Sequence, residues 1–378
     1  MSKNYARFVT ALFCGFLGVV AAANALTPDK SFSELENRNL AQKPALTLQA
    51  LLSGQFMSDY ESYVTDQFAG RDGWTAAKAA AELSTGKQEN NGVYFCADST
   101  LITRFDTPDT DKVAQNINYV NRFAEISSVP VYFGLIPGAA TVWADRLPQG
   151  APNYDQRQVI DQAAQAAAAT RFVDLYTPLM NHKGEDIFYR TDHHWTSLGA
   201  YYGYTGIAEA LDLVAVPLTD YVKTTVSTNF YGTVFSSSGV RWVRPDVIDT
   251  YVPEDGITVT SYTYDAKGNQ VEIPRQLYDE SFLTKKDQYG MFLGGQQALG
   301  VVRTGHTGKP KLLLIRDSYS DSLVPFLTPH FSEIHLIDLR YYKQSAAQYI
   351  KDNGIDAAMV LYSVPDFVSE TNLVWLGR

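Results

Sequence analysis

Four short apolar runs constrain this chain more than any other feature: "VPVYFGLIP" ending at Pro137, "KLLLI" from Lys311, "EIHLIDL" from Glu333 and "DAAMVLY" from Asp356. Each has the continuous apolar character of a strand covered on both faces rather than one. Between and before them lie stretches that suit helices, at 109–127, in "DQRQVIDQAAQAAAAT" and in "QSAAQYIKDN", with a further strand in "RFVDLY". Strands alternating with helices predict a parallel sheet inside a three-layer α/β body, flavodoxin-like in plan.

The remaining chain fits around that body. Residues 213–296 change character to Thr, Val, Tyr and Gly, with strand-like "TVFSSSGVRWV" and "GITVTSYTY", and read as a β-rich insertion. "NGVYF" reads as a short strand after an Asn-Asn-Gly turn, and residues 48–85 carry helical spacing interrupted at Gly70 and Gly73. Residues 27–50 are polar and read as a stalk, so one domain is expected over 51–378.

At the N-terminus, Lys3 and Arg7 precede an uncharged stretch from Phe8 to Leu26. Nineteen helical residues rise roughly 28 Å, about the thickness of a bilayer's hydrocarbon core. The basic flank stays on the cytoplasmic side, which puts the rest outside the cell membrane. We read residues 1–26 as an uncleaved anchor. Ala23-Asn24-Ala25 also has the form of a cleavage site, so a secreted product of a cleaved signal is the alternative.

Residues 1–26 hold two of the 31 cations and none of the 41 acids, so the exported part carries a net charge of −12. With no basic stripe, nucleic acid is excluded as a partner. Cys14 lies in the apolar stretch and Cys96 stands alone beyond it, so no intramolecular disulfide supports the exported fold.

Two polar stretches carry candidate chemistry. "FYRTDHHWTSLGAYY" gathers Asp192, His193, His194 and Trp195, in a chain with six histidines in all. "LLLIRDSYSDSLVPFL" runs from an apolar strand into Arg316-Asp317-Ser318 and then a helix-compatible segment. A serine at such a turn stands at the carboxyl end of the sheet, where open α/β folds hold ligands. The N–H groups that follow it belong to a helix start and could stabilise an oxyanion. An N-cap serine fits the same position. Ser320 and Ser322 fall further into the helix and are poorer nucleophiles.

A serine nucleophile needs a base, and the base an orienting acid. On extended backbone Asp192 and His194 point the same way, and His193 points to the opposite side, packed behind the site. Asp192 then holds Nδ1 of His194, leaving Nε2 for Ser318.

"YRTDHHWT" followed by "RDSYS" resembles the DHHW protein family, itself similar to the SGNH-hydrolase-like alginate O-acetyltransferases. "SFSELENRNL", "NFYGT", "MFLGG" and "VPFLTPHFSEIHLIDLRYY" extend the resemblance over nearly the whole chain. The resemblance implies Ser318 as nucleophile, His194 as base and Asp192 as orienting acid. It also implies Arg340 as a substrate-binding candidate, with a structural ion pair as the alternative. Trp195, beside the base, and Tyr319, beside the serine, are further substrate-binding candidates; bracing of the loop is the favoured alternative for Trp195. Arg316-Asp317 departs from the Gly-Thr those enzymes carry before the serine. Neither metal nor cofactor is implied. The expected partners are a polysaccharide acceptor and a membrane-bound O-acyltransferase that supplies the acyl group.

The function read from this is an extracytoplasmic serine O-acetyltransferase acting through an acetyl-serine. A carbohydrate O-acetyl esterase and a non-catalytic polysaccharide-binding scaffold are the alternatives. Metal ligation by Asp192, His193, His194 and His182 is the rival chemistry from residue type alone. Gly294-Gly295 offers either backbone close to the site or a tight turn.

Overall fold

A computed structural model describes residues 3–33, 35–36, 38–252, 256–264 and 270–378. The first two residues of the expected anchor, positions 34 and 37 of the stalk, and 253–255 and 265–269 of the expected insertion lie outside them.

The chain divides into two compact units. The first runs to Asn91 and includes Ser236–Arg241. Its apolar helix, Lys3–Leu26, is 24 residues long, reaches a mean hydropathy of 2.0 over 18 residues and has no buried residue. That length and composition suit a membrane crossing, and a signal sequence as well. The segment after it is tied down by polar contacts: Arg38 forks onto Asp66 at 2.6 and 2.8 Å, and Gln67 Nε2 donates to the carbonyls of Lys30 and Ala41. Helices Leu48–Leu52, Gln55–Asp66 and Arg71–Ser84 follow, and among their residues only Ala79 is buried. The α/β unit begins at Gly92, not near residue 51.

The second unit comprises Gly92–Phe235 and Trp242–Arg378. Its strands are β1 (Val93–Cys96), β2 (Thr100–Thr103), β3 (Val131–Ile136), β4 (Arg171–Val173), β5 (Val222–Phe230), β6 (Asp246–Val252), β7 (Thr258–Tyr264), β8 (Gln270–Arg275), β9 (Leu299–Arg303), β10 (Lys311–Arg316), β11 (Glu333–Ile337) and β12 (Ala357–Ser363). Eight of them form one sheet in the order β8-β7-β9-β11-β10-β12-β3-β4. The five from β11 to β4 are parallel. β1 and β2 form an antiparallel hairpin, and β5 and β6 a bulged two-stranded ribbon.

The apolar runs do what their composition demands. Leu312 to Ile315 and Ala358 to Leu361 are all at 0% exposure, strands covered on both faces. Helix Thr110–Ile126, capped by Asp109, buries Val113, Ile117, Val120 and Phe123 along one stripe.

Counted from β10 as the first strand, then β11, β12, β3 and β4, the parallel strands lie in the order 2-1-3-4-5. That is the flavodoxin-like order, circularly permuted so that its last two strands come first in the chain. The reversal of strand order, where such sheets hold ligands, falls between β10 and β12.

Two expectations are corrected. The sheet is mixed, because β9 pairs antiparallel with β11, β7 with β9 and β8 with β7. The stretch expected as a β-rich insertion supplies β7 and β8 to the main sheet. "TVFSSSGVRWV", read as a strand, begins as a short helix, Thr233–Ser238. Tertiary bonds override its β-branched character: Asp192 accepts the Thr233 N–H, and Thr191 O accepts the Phe235 N–H.

Candidate active site

Ser318 follows β10 directly, at the carboxyl edge of the sheet. His194 Nε2 lies 2.8 Å from its Oγ, and His194 Nδ1 lies 2.6 Å from Asp192 Oδ1. Two segments 124 residues apart in sequence therefore meet in one Asp–His–Ser chain of hydrogen bonds. Ser318 is half-buried, while Asp192 and His194 are buried.

The loop that holds the pair is bent, not extended. Phe188 and Trp195 bridge across its base, and the Tyr189 N–H bonds to His194 O. Asp192 Oδ1 accepts the His194 N–H at 3.0 Å as well as its ring N–H, an Asx-type turn that places acid and base together. Oδ2 accepts from the N–H and hydroxyl of Thr233 at 2.8 and 3.1 Å. Burial opposes the charge on Asp192, but the His193 and His194 imidazoles and these donors outweigh it, and hold its carboxyl well below the usual carboxylate range. A carboxylate so held keeps His194 in the tautomer whose Nε2 accepts from Ser318.

The same bend moves His193. Expected behind the site, its ring instead lies against His194, tilted by 39° with centroids 3.8 Å apart. Its side chain is 39% exposed, and its Nδ1 is 2.7 Å from Thr233 Oγ1. Desolvation and the adjacent His194 ring hold the His193 imidazole below its ordinary value.

Trp195 is a brace. Fully buried, it donates its indole N–H to Tyr319 O at 2.8 Å and Ser322 Oγ at 3.1 Å. Its ring lies on Gly203 of helix Ser197–Ala210, where a Cβ would come within 2.6 Å of it. It offers no surface to a substrate, which corrects its assignment as a substrate-binding residue. Tyr319 donates its hydroxyl to His193 O and lines a cleft of about 120 Å³ beside the serine turn. Asp192, His193, Gln156, Asp366, Ala140, Phe105 and Pro365 share that lining, above the ends of β3 and β12.

Arg340 is held in a forked ion pair by Asp338, at 3.0 and 2.7 Å, and bonds to no member of the Asp–His–Ser chain among the described residues. Its charge does act on Asp321 and Asp366, both near the sheet edge that carries Ser318. Gly294 and Gly295 take φ of 73° and 84° in a turn beside Arg275 and Phe282.

Arg316 and Asp317 are structural. Asp317 caps the turn: Oδ1 accepts the Tyr319 N–H at 3.1 Å and Oδ2 the Ser363 N–H at 2.7 Å. The Tyr319 N–H expected for an oxyanion is thus already engaged. Burial and the nearby Asp366 push the Asp317 carboxyl well up. Arg316 is buried against Asp321 at 2.9 Å. Burial raises Asp321 to about 7 against the pull of Arg316.

Sequence reasoning missed Tyr289, Gly232, Thr233 and Asp246. Tyr289 stacks on His194 and bonds to the nucleophile's backbone. Gly232 admits Asp192, since a Cβ there would sit 2.2 Å from Asp192 Oδ2. Buried Asp246 accepts the N–H groups of Arg190 and Thr191 and fixes the loop's first half. Only "NFYGT", which contains Gly232 and Thr233, carried a signal, and that signal was resemblance alone.

For a metal, the ligand atoms of Asp192, His193 and His194 lie within 4.8 Å of one another. Yet both His194 nitrogens are taken, by Asp192 and Ser318, and His193 Nδ1 faces Thr233. His182 is not in the group; it pairs with Glu185 at 2.7 Å and stacks on Tyr202. Cys96 is no rival nucleophile, because burial pushes its thiol up to about 12.

An α/β sheet with an Asp–His–Ser relay at the reversal of its strand order defines the class. The chain belongs to the DHHW protein family, which matches residues 91–337. A DHHW family protein from Eubacterium siraeum is similar at 30% identity and a TM-score of 0.65, over 76% of this chain and 95% of its own. PatB1 from Bacillus cereus, solved with a sulfonyl adduct, shares the fold at 20% identity and a TM-score of 0.62, over 76% and 98%. The O-acetyltransferase domain of AlgJ from Pseudomonas putida aligns at 17% identity and a TM-score of 0.46, over 74% and 93%. Comparison with curated proteins finds no match.

Proposed function

We propose that this protein is an extracytoplasmic serine O-acetyltransferase of the three-layer SGNH-hydrolase-like type, acting on a cell-surface or secreted polysaccharide. The observation that carries the reading is the 2.8 Å approach of His194 Nε2 to Ser318 Oγ, with Asp192 behind it. In this reading the three form a catalytic triad. Ser318 Oγ attacks the carbonyl carbon of an acyl ester or thioester donor, and its proton passes to His194 Nε2. The tetrahedral oxyanion collapses, the donor's alcohol or thiol leaves with that proton, and acetyl-Ser318 remains. A sugar hydroxyl then attacks the ester and gives its proton to His194. Ser318 recovers the proton as the acetylated sugar departs. A positioned base of this kind contributes on the order of 10²–10⁴ in rate.

The cleft beside Tyr319 and His193 is where substrate sits in this reading. Arg340 contributes to it only if a substrate anion or hydroxyl draws it from Asp338. Helix Lys3–Leu26 anchors the chain with Lys3 and Arg7 on the cytoplasmic side, and a membrane-bound acyltransferase delivers the acyl group. Water as acceptor would make the protein an esterase; the half-exposed Ser318 favours that second reading.

A fluorophosphonate probe tests the nucleophile. Wild type is expected to be labelled, and Ser318→Ala and His194→Ala are not; an unlabelled wild type refutes the covalent reading. Incubation with an acetyl-ester donor and oligosaccharides then separates acetylated sugar from free acetate, and acetate alone refutes transfer.

A further inference from the structure

The relay has a fourth member that neither the motif nor the fold assigns. Tyr289 stacks on His194 with ring centroids 3.7 Å apart and planes 6° from parallel. Its hydroxyl donates to Ser318 O at 3.0 Å and lies 3.1 Å from Ser322 Oγ. One side chain therefore touches the base with its face and the nucleophile's own backbone with its polar end. The ring is held edge-on by Tyr189 and against Phe292, inside a small apolar cluster with Phe230, Ile248 and Met291. Burial, with Asp321 next in effect, pushes its hydroxyl well above the usual phenol value, so it remains a neutral donor.

We propose that Tyr289 is a positioning residue whose ring face favours the imidazolium that forms when His194 takes the Ser318 proton. The inference rests on the covalent reading above. A cation over an aromatic face is attracted by the ring quadrupole, more strongly where water is excluded. Neutral imidazole gains little from that field, so the contact strengthens as the proton arrives, which is the condition for helping the chemical step. The groups facing His194 from every side are few. Asp192 and His193 come from its own loop, Ser318 and Tyr319 from the serine turn, and Tyr289 from the segment before β9. Asp366 and Asp287 act on His193, and Asp287 on Asp192, from further off. Asp192 fixes the imidazolium from one edge, and Tyr289 from the flat side.

The test is the rate of fluorophosphonate labelling of the full chain in detergent, followed from pH 5 to 9. Tyr289→Leu removes the ring face, and two changes are expected together. The plateau rate falls by about threefold to tenfold, and the acid limb moves to lower pH by about half a unit to one unit. Mere loss of packing lowers the plateau without moving the limb. Tyr289→Phe keeps the stack and should keep the limb in place, with a small loss at the plateau. Should the leucine variant fail to fold, a ring-fluorinated phenylalanine at 289 keeps the shape while draining charge from the face, and should move the limb the same way. A limb that stays at the wild-type pH in folded variants lacking an electron-rich face overturns the proposal. Labelling that is absent in wild type, or that survives Ser318→Ala, overturns the covalent reading and this inference with it. Intact Ser318-dependent labelling with an unmoved limb overturns this inference alone.

Discussion

Gly232→Ala is the most demanding check on the geometry, because it touches neither base nor nucleophile. A Cβ at 232 would lie 2.2 Å from both Cβ and Oδ2 of Asp192. A carbon and an oxygen need roughly 3.2 Å, so something must retreat by about 1 Å; close-packed interiors cannot absorb this for nothing. Asp192 is the neighbour in the way, and it cannot retreat without straining the bonds that fix it. Its two oxygens are held by His194 on one side and Thr233 on the other, and Thr233 adjoins the new methyl. The base is then misoriented. A displacement of 1 Å typically costs about 10²-fold in rate, and overpacking costs about 1–3 kcal/mol in stability. The assay is the fluorophosphonate labelling rate of Ser318 beside a urea unfolding curve, with Asp192→Asn for comparison. A folded Gly232→Ala chain that labels at the wild-type rate would refute the claim that this contact sets the acid's position.

Trp195→Phe leaves the Tyr319 carbonyl and Ser322 without their indole donor in a buried setting. Unfolding midpoints should report about 1–3 kcal/mol lost, and no loss would argue against bracing. Asp321, with its carboxyl raised to about 7, gives a stabilising contribution that is full below the ordinary carboxylate value near 3.8 and lost as pH rises through 7. Asp321→Asn should flatten that part of the stability–pH curve; an unchanged slope assigns it elsewhere. In a Cys14→Ser chain, native Cys96, with its thiol pushed up to about 12, should alkylate far more slowly at pH 8 than in urea. Equal rates would mean the thiol is not buried. A chelator should leave Ser318 labelling intact, and loss restored by added metal would revive the Asp192–His193–His194 metal reading.

Much of the α/β unit was legible because continuous apolar runs have few uses. Leu312–Ile315 and Ala358–Leu361 announce strands buried on both faces, and both are. Asp192, His194 and Ser318 were legible because residue type narrows chemistry even without position. His193 was misplaced because alternation holds only on extended backbone, and the Asx turn at Asp192 breaks it. The helix at Thr233–Ser238 was unreadable from its composition, since its bonds go to residues some forty positions earlier. Tyr289 had no signal at all, being one of 24 tyrosines.

The sequence by itself therefore determined which segments must be buried, that one end is apolar enough to cross a bilayer, and which side chains were available for an Asp–His–Ser chain of hydrogen bonds. Only the tertiary structure decided that β7 and β8 extend the sheet, that Trp195 braces, and that Tyr289 lies flat on the base. Burial and local turns follow from the polarity and backbone preferences of neighbouring residues, which a chain carries in order. Contacts between segments a hundred residues apart depend on how the strands are laid side by side, and no local pattern encodes that.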